Sequence, residues 1–408
     1  MKNVWILNHY AVPSGMGGGT RHYDLACELV RRGYKVTIFA SSYNHFNRND
    51  LITNNEREKE EIINDVRFVW IKTKPRYEGN GIKRLLNMVS YFCNLLVVYE
   101  DYDKPDIVIG SSVHLFAPLA AFFICRKTKA KFLCEIRDLW PQTLIDMGSI
   151  SNNHPLAVFF RGIESFVYKR AGKVITLLPG AYQYISRFNI KEEKLVYIPN
   201  GVDIKKFDYN IDSDSKEIID VIDPEAFNCT YAGAHGEANK LDNILEAAYI
   251  IQNLGANKIK FNLIGDGPEK RNLIEYSRKI GLLNVNFVEQ VDKKLIPGIL
   301  SNSDLLIFNL KEVDVFKYGI SSNKLFDYMC AAKPIIFACK CYNNIVADAE
   351  AGMSVPPENP KALADAVMDM FKMHKEDRER LGQNGRNYVE NYHSIEYLVD
   401  KLVDCFNS

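Results

Sequence analysis

Three consecutive glycines, Gly17, Gly18 and Gly19, run into Thr20, Arg21 and His22 between an apolar strand-like run at 4–7 and a helical pattern that begins near Thr20. Backbone amides without side-chain cover at a helix start, reinforced by the positive end of the helix dipole, favour a diphosphate or a developing anion. Arg21 and His22 add donors at the same edge. Ser322, Asn323 and Lys324 precede a second apolar helical pattern, so their amides cap that helix and face phosphate as well. Gly265, Asp266 and Gly267 make a turn after another strand, suited to close approach by a base or a sugar. Arg137 and Asp138 follow the strand at 131–136, where their plain reading is a pair with each other or with Glu135 near a helix start.

The dinucleotide fingerprint fails on spacing. G-x-G-x-x-G started at Gly15 meets Thr20 at its sixth position, and started at Gly17 it meets His22. The next strand, at 35–42, ends without the acidic residue that would hold a ribose hydroxyl. A plain tight turn is the other reading of the glycines. Lys plus Arg and Asp plus Glu each total 51, so no net charge argues for nucleic acid as a partner. Nine cysteines lack paired C-x-x-C spacing and sit mostly in apolar runs, as reduced core residues do. Cys339-x-Cys341 has no second ligand pair and is assigned to strand packing rather than to a metal.

The elements that must position these residues are legible as apolar runs. At 408 residues the chain exceeds one ordinary hydrophobic core, so two domains are expected. Runs at 4–8, 35–40, 66–71, 107–110, 131–136, 173–176 and 195–198 alternate with helical stretches and predict an α/β fold with a doubly wound parallel sheet. The segment 208–225 has little periodicity and is expected to be a connection or an exposed excursion. Alternation restarts at 229–232 and continues through strands at 259–264, 285–288, 305–309 and 335–338, a second such sheet, before a helical tail at 360–406. The stretch 113–125 is too short to span a bilayer, and no basic, apolar leader opens the chain, so a cytoplasmic location is expected. Segments 81–99 and 155–173 combine basic residues with apolar stripes; an interfacial helix on a membrane and a core-facing helix share that period.

Gly17-Gly18-Gly19-Thr20-Arg21-His22-Tyr23, followed by Leu25-Ala26 and Arg32-Gly33, resembles the opening loop and helix of glycosyltransferase family 4. Arg137-Asp138-Leu139-Trp140-Pro141, Ile198-Pro199-Asn200-Gly201-Val202-Asp203, Tyr231-Ala232-Gly233, Gly265-Asp266-Gly267-Pro268-Glu269 and Ser322-Asn323-Lys324-Leu325-Phe326-Asp327-Tyr328-Met329 follow in the family's order and extend the resemblance over nearly the whole chain. It implies a GT-B architecture of two Rossmann-like domains facing a cleft. The N-terminal acceptor domain would take residues 1–205 plus a returning helix at 391–408, and the donor domain residues 206–390. It also implies a retaining transferase that uses a UDP-sugar without cofactor or divalent metal. Asp101-x-Asp103 and Asp212-x-Asp214 are accordingly assigned to solvated loop.

Carried over residue by residue, Gly18 and Gly19 approach the diphosphate, and Lys240 matches the family's cationic phosphate ligand; an exposed helix-start lysine is its plain alternative. Asn200 is carried over as a substrate contact, and Arg137 and Asp138 are assigned to the acceptor or the transferred sugar. Asp327 takes the place of the second motif glutamate, accepting from both ribose hydroxyls, with a cap or dipole role as the alternative. The first glutamate falls on Gly319 when counted from Asp327, or on Phe316 when counted from Tyr318-Gly319. Its loss argues for a deoxy or N-acetylamino sugar, since an aromatic side chain suits a methyl or acetyl group; Glu312 and Asp314 are the possible replacements. Within the family the motifs are most similar to bacterial transferases that build O-antigen or capsule repeat units, N-acetylfucosamine transferases among them. The acceptor would then be a polyprenyl-diphosphate-linked saccharide, reached by peripheral contact with the inner face of the plasma membrane. A sugar nucleotide 2-epimerase and an idle scaffold on the same fold are the rival readings.

Overall fold

The computed structural model describes residues 1–16, 18–45, 47–79, 81–211 and 221–408. They form two compact units, one of Met1–Pro199, Tyr318–Ser321 and Ile395–Ser408, the other of Asn200–Lys317 and Ser322–Ser394. The division therefore falls at Pro199. Segment 208–225 lies within the second unit, and its part at 212–220, with Asp212 and Asp214, is outside the described residues.

The first unit carries strands β1 (Asn3–Leu7), β2 (Lys35–Ser41), β3 (Tyr43–Asn44), β4 (Asn49–Asp50), β5 (Glu58–Ile63), β6 (Val66–Ile71), β7 (Ile107–Ser111), β8 (Lys131–Ile136), β9 (Lys173–Thr176) and β10 (Leu195–Tyr197). Its main sheet runs β10-β9-β8-β7-β1-β2-β6-β5, parallel except for the antiparallel β5–β6 edge. Both faces are covered. Trp5 and Leu7 enter one core with Phe39 and Tyr91, while Val4 and Ile6 enter the other with Leu25 and Leu29 of helix Arg21–Arg31 and Leu398 and Leu402 of helix Ile395–Asn407. Successive residues of a strand point to opposite faces, so a doubly covered strand must be apolar on both, as β1 is from Val4 to Leu7. The edge strand β5 has no such demand. Its Glu-Lys-Glu-Glu-Ile-Ile sequence is half exposed and gives no apolar signal.

The second unit carries β11 (Phe227–Ala232), β12 (Ile259–Ile264), β13 (Val285–Val288), β14 (Leu305–Asn309), β15 (Ile335–Ala338) and β16 (Gly352–Val355), in the order β13-β12-β11-β14-β15-β16 and parallel throughout. Fold class is α/β with two Rossmann-like sheets, as the strand alternation predicts. Among the parallel strands of each sheet the order reverses at one point, β1/β7 in the first and β11/β14 in the second. Open α/β sheets bind ligands beyond the carboxyl ends of the strands at such points, which sets where to look. The tail folds as helices Pro360–Lys372, Lys375–Tyr392 and Ile395–Asn407. No described helix is long and apolar enough to cross a membrane, and none of the nine cysteines forms a disulfide.

Candidate active site

In the first unit the glycine loop enters helix Arg21–Arg31, whose N-terminus receives no side-chain cap. Gly18 adopts φ +133°, a left-handed conformation that a Cβ would strain. Gly17 lies outside the described residues. The expectation that Arg21 and His22 face phosphate is corrected: both side chains are buried and turned into the unit. Arg21 Nε and Nη2 donate to Glu135 Oε1 at 3.0 and 2.9 Å, and its remaining donors reach the carbonyls of Ile198, at 2.8 Å, and Pro199. His22 Nε2 lies 2.6 Å from Glu135 Oε2, which also accepts from the Ser111 hydroxyl at 2.5 Å. Burial alone would raise the Glu135 carboxyl, but Arg21, His22 and Ser111 outweigh it and hold it well below the usual range. Burial lowers the His22 imidazole in spite of Glu135. These residues therefore anchor the glycine loop to the end of β8.

Arg137 and Asp138 follow β8 directly. Neither forms an ion pair among the described residues, with the other or with Glu135, and Arg137 Nε is buried without a hydrogen-bond partner. Asp138 reaches solvent, yet the protein behind it raises its carboxyl above the usual range, with Arg137 opposing. Both remain available to a ligand of this unit. Asp103 binds Lys35 at 2.6 Å on the surface, the solvated role expected of it.

Sequence reasoning missed a group of imidazoles at the β1/β7 switch. His9 and His114 are buried with ring centroids 4.9 Å apart, and both His9 nitrogens and His114 Nε2 lack a hydrogen-bond partner among the described residues. Burial, seconded by His114, holds His9 well below the ordinary value; burial and Arg84 lower His114 to about 3 and His45 to about 4. A small recess lined by His9, Tyr10, Ser42, Tyr43 and His45 opens beside them. Neutral imidazoles of this kind hydrogen-bond hydroxyls rather than anions.

In the second unit the turn at Gly265 and Gly267 serves a different approach from the one expected. A Cβ on Gly265, whose φ is +136°, would lie 2.0 Å from the Gly233 carbonyl oxygen, and one on Gly267 would lie 2.5 Å from that of His235. The glycines thus let the loops after β11 and β12 interlock, with Asp266 accepting from the His235 amide at 2.8 Å through its carbonyl and from the Gly267 amide at 2.7 Å through its carboxylate. Lys240, at φ +46°, is salt-bridged to Asp242 at 2.6 Å, so it already has a carboxylate partner. Asn200 is buried in this unit.

Helix Asn323–Cys330 begins at Ser322 with no side-chain cap. Lys324, in its first turn, donates to the Tyr231 hydroxyl at 3.1 Å and to Asn239 Oδ1, and its ammonium sits 4.6 Å from the Tyr231 ring centroid and 5.2 Å from that of Phe308. Asp327 lies in the next turn, partly exposed. Phe316 is partly buried in the 3-10 turn Asp314–Tyr318, and Glu312 is tied to Lys340 at 2.5 Å. Gly319 adopts φ +111°, so a glutamate there would strain the backbone.

Residues 16–206 match the family model described as Glycosyltransferase Family 4, and residues 226–373 match the one described as Glycosyl transferases group 1. Over 279 residues the chain is 22% identical to "Probable glycosyltransferase WbjE" of Pseudomonas aeruginosa, covering 67% of this chain and 68% of that protein. Sucrose-phosphate synthase from Thermosynechococcus elongatus superposes with a TM-score of 0.76 at 15% identity, over 100% of this chain and 98% of that one. Anabaena HepE in complex with UDP gives 0.71 at 12% identity over 100% of both chains. At such identities the structural likeness speaks for the fold alone.

Proposed function

The chain belongs to the family 4 glycosyltransferases of GT-B fold, and from that premise we propose a retaining enzyme that moves a sugar from a UDP-sugar to a lipid-linked saccharide in O-antigen or capsule synthesis. The observation that carries this reading is the uncapped start of helix Asn323–Cys330, held at the β11/β14 switch by Tyr328, whose hydroxyl binds the Ala232 amide at 2.7 Å. A helix start at a switch point suits the diphosphate of a sugar nucleotide. The UDP held by HepE supports that ligand class.

In the proposed reaction the bond from the anomeric carbon to the β-phosphate oxygen breaks, and its electron pair stays on the phosphate. Amides and lysine ammonium take up that charge without a divalent ion, while the acceptor hydroxyl attacks the same face and passes its proton to the departing phosphate. Asp327 is assigned to the ribose hydroxyls. Phe316, with glycine at 319 and Glu312 engaged by Lys340, supports an N-acetylated amino or deoxyamino hexose as the transferred sugar. Arg137, Asp138 and the neutral imidazoles of the first unit are assigned to the acceptor saccharide.

Peripheral membrane contact is part of the proposal. Helix Ile82–Val98 leaves Ile82, Leu86, Val89, Cys93 and Val97 exposed, one stripe at helical spacing, with the exposed Lys83 in its first turn. The deciding experiment incubates the protein with a panel of UDP-sugars, with and without a polyprenyl-diphosphate-linked saccharide, and follows products by mass spectrometry. Glycosyl transfer only with acceptor is the expected result. Epimerised donor without acceptor would make the protein a 2-epimerase, and no melting-temperature shift with any nucleotide would make it a scaffold.

A further inference from the structure

Most cations around the strand ends of the second unit are already neutralised. Lys240 binds Asp242 at 2.6 Å, Lys311 binds Glu237 at 2.7 Å, Lys270 binds Glu289 at 2.8 Å and Lys340 binds Glu312 at 2.5 Å. Lys324 differs from these four. Among the described residues no carboxylate comes within ion-pair distance of it, and its hydrogen-bond partners, the Tyr231 hydroxyl and Asn239 Oδ1, are neutral. The Tyr231 hydroxyl is itself oriented, donating to the Ala234 carbonyl at 2.8 Å, so its lone pairs face the ammonium. Two aromatic rings complete the surround.

Holding a cation among neutral groups is costly unless an anion arrives. Burial lowers the Lys324 ammonium to about 7, with Cys339 opposing. The side chain nevertheless keeps part of its surface in solvent, so an incoming group can reach it. It projects from the first turn of the uncapped helix, where amides and dipole favour the same charge.

We propose that the Lys324 side chain is the cation that binds the diphosphate of the donor nucleotide, a role the sequence motifs assign to Lys240. Tyr231 and Asn239 act as positioning residues that hold the ammonium at the helix start. This inference rests on the nucleotide-sugar reading and adds to it a specific charge.

Isothermal titration calorimetry with UDP and with uridine tests it on the full chain, using wild type, Lys324→Met, Lys324→Arg and Lys240→Met. Loss of a charge-assisted hydrogen bond predicts that Lys324→Met weakens UDP by about 10- to 100-fold while leaving uridine within about twofold, with Lys324→Arg recovering much of the loss and Lys240→Met costing less than Lys324→Met. Uridine binding serves as the folding control, and Lys324→Arg carries the test if the methionine variant does not fold: arginine binding UDP far more weakly than uridine would overturn the charge assignment. If wild type binds UDP and Lys324→Met binds it equally well, this inference fails and the nucleotide reading stands. If wild type binds no UDP, the nucleotide reading itself fails.

Discussion

Tyr328 and Ala232 are 96 residues apart in the chain, and one hydroxyl bonds both main-chain polar groups of one residue: Tyr328 Oη accepts from the Ala232 amide at 2.7 Å and donates to the Ala232 carbonyl at 3.2 Å. The bond pair fixes helix Asn323–Cys330 to the end of β11. Tyr328→Phe leaves a buried amide without its partner, which costs about 1–3 kcal/mol. We expect urea denaturation to show that loss, together with weaker UDP binding as the helix start shifts. Unchanged UDP affinity in a destabilised variant would separate the helix from the ligand.

Glu135 performs a comparable task in the first unit, joining Arg21 and His22 to β8 and Ser111. Glu135→Gln leaves the Arg21 guanidinium buried without its counter-charge, a change that costs about 3–5 kcal/mol. The same variant loosens the glycine loop, so activity should fall beyond what the lost stability explains. A chemical melt together with an assay well below the melting temperature measures both.

Acid stability follows from the imidazoles. Burial holds His9, His22, His45 and His114 below the ordinary value, to about 4 for His45 and about 3 for His114, with Arg84 adding to the effect on the last two and Glu135 opposing it at His22. In the unfolded chain each takes up a proton near pH ~6.5. Between there and pH ~4 the unfolded state binds more protons, so stability is present above that window and is lost as the pH falls through it. Glu135, also held low, adds its own loss below about pH 4. Melting temperature should decline as the pH falls below about 6.5, where the four imidazoles outweigh the one proton that Glu164, its carboxyl raised by burial to about 8, takes up in the folded state. His114→Gln should flatten the decline; an equal slope in that variant would remove His114 from the account.

Strands buried on both faces were legible because their interiors must be apolar, as they are in β1, β7 and β14, where the polar residues Asn3, Ser111 and Asn309 stand only at an end. The edge strands β5 and β16 were not, since half-exposed strands need no apolar run. The same contrast governs the site. Glycine loops and helix starts are local and could be read directly. The direction of Arg21 could not, because its partner Glu135 lies 114 residues away, and the neutral surround of Lys324 is assembled from Tyr231, 93 residues before it, and Asn239, 85 before it. Local residue types announce a charge, while long-range packing decides whether that charge is spent inside the protein or kept for a ligand.

The exposed stripe on helix Ile82–Val98 gives the last prediction. Ile82 is 74% exposed, Leu86 50% and Val97 51%, so none contributes much to the core, and replacing two of them should move stability by less than about 1 kcal/mol. On a bilayer the same side chains would enter the headgroup boundary, each contributing on the order of 1–2 kcal/mol. Leu86→Glu with Val97→Glu should therefore reduce co-sedimentation with phosphatidylglycerol vesicles by at least about tenfold, while UDP binding stays unchanged. Neutral phosphatidylcholine vesicles should bind wild type more weakly, since Lys83 in the same helix favours an anionic surface. Equal sedimentation of the double variant and wild type would assign this stripe another partner.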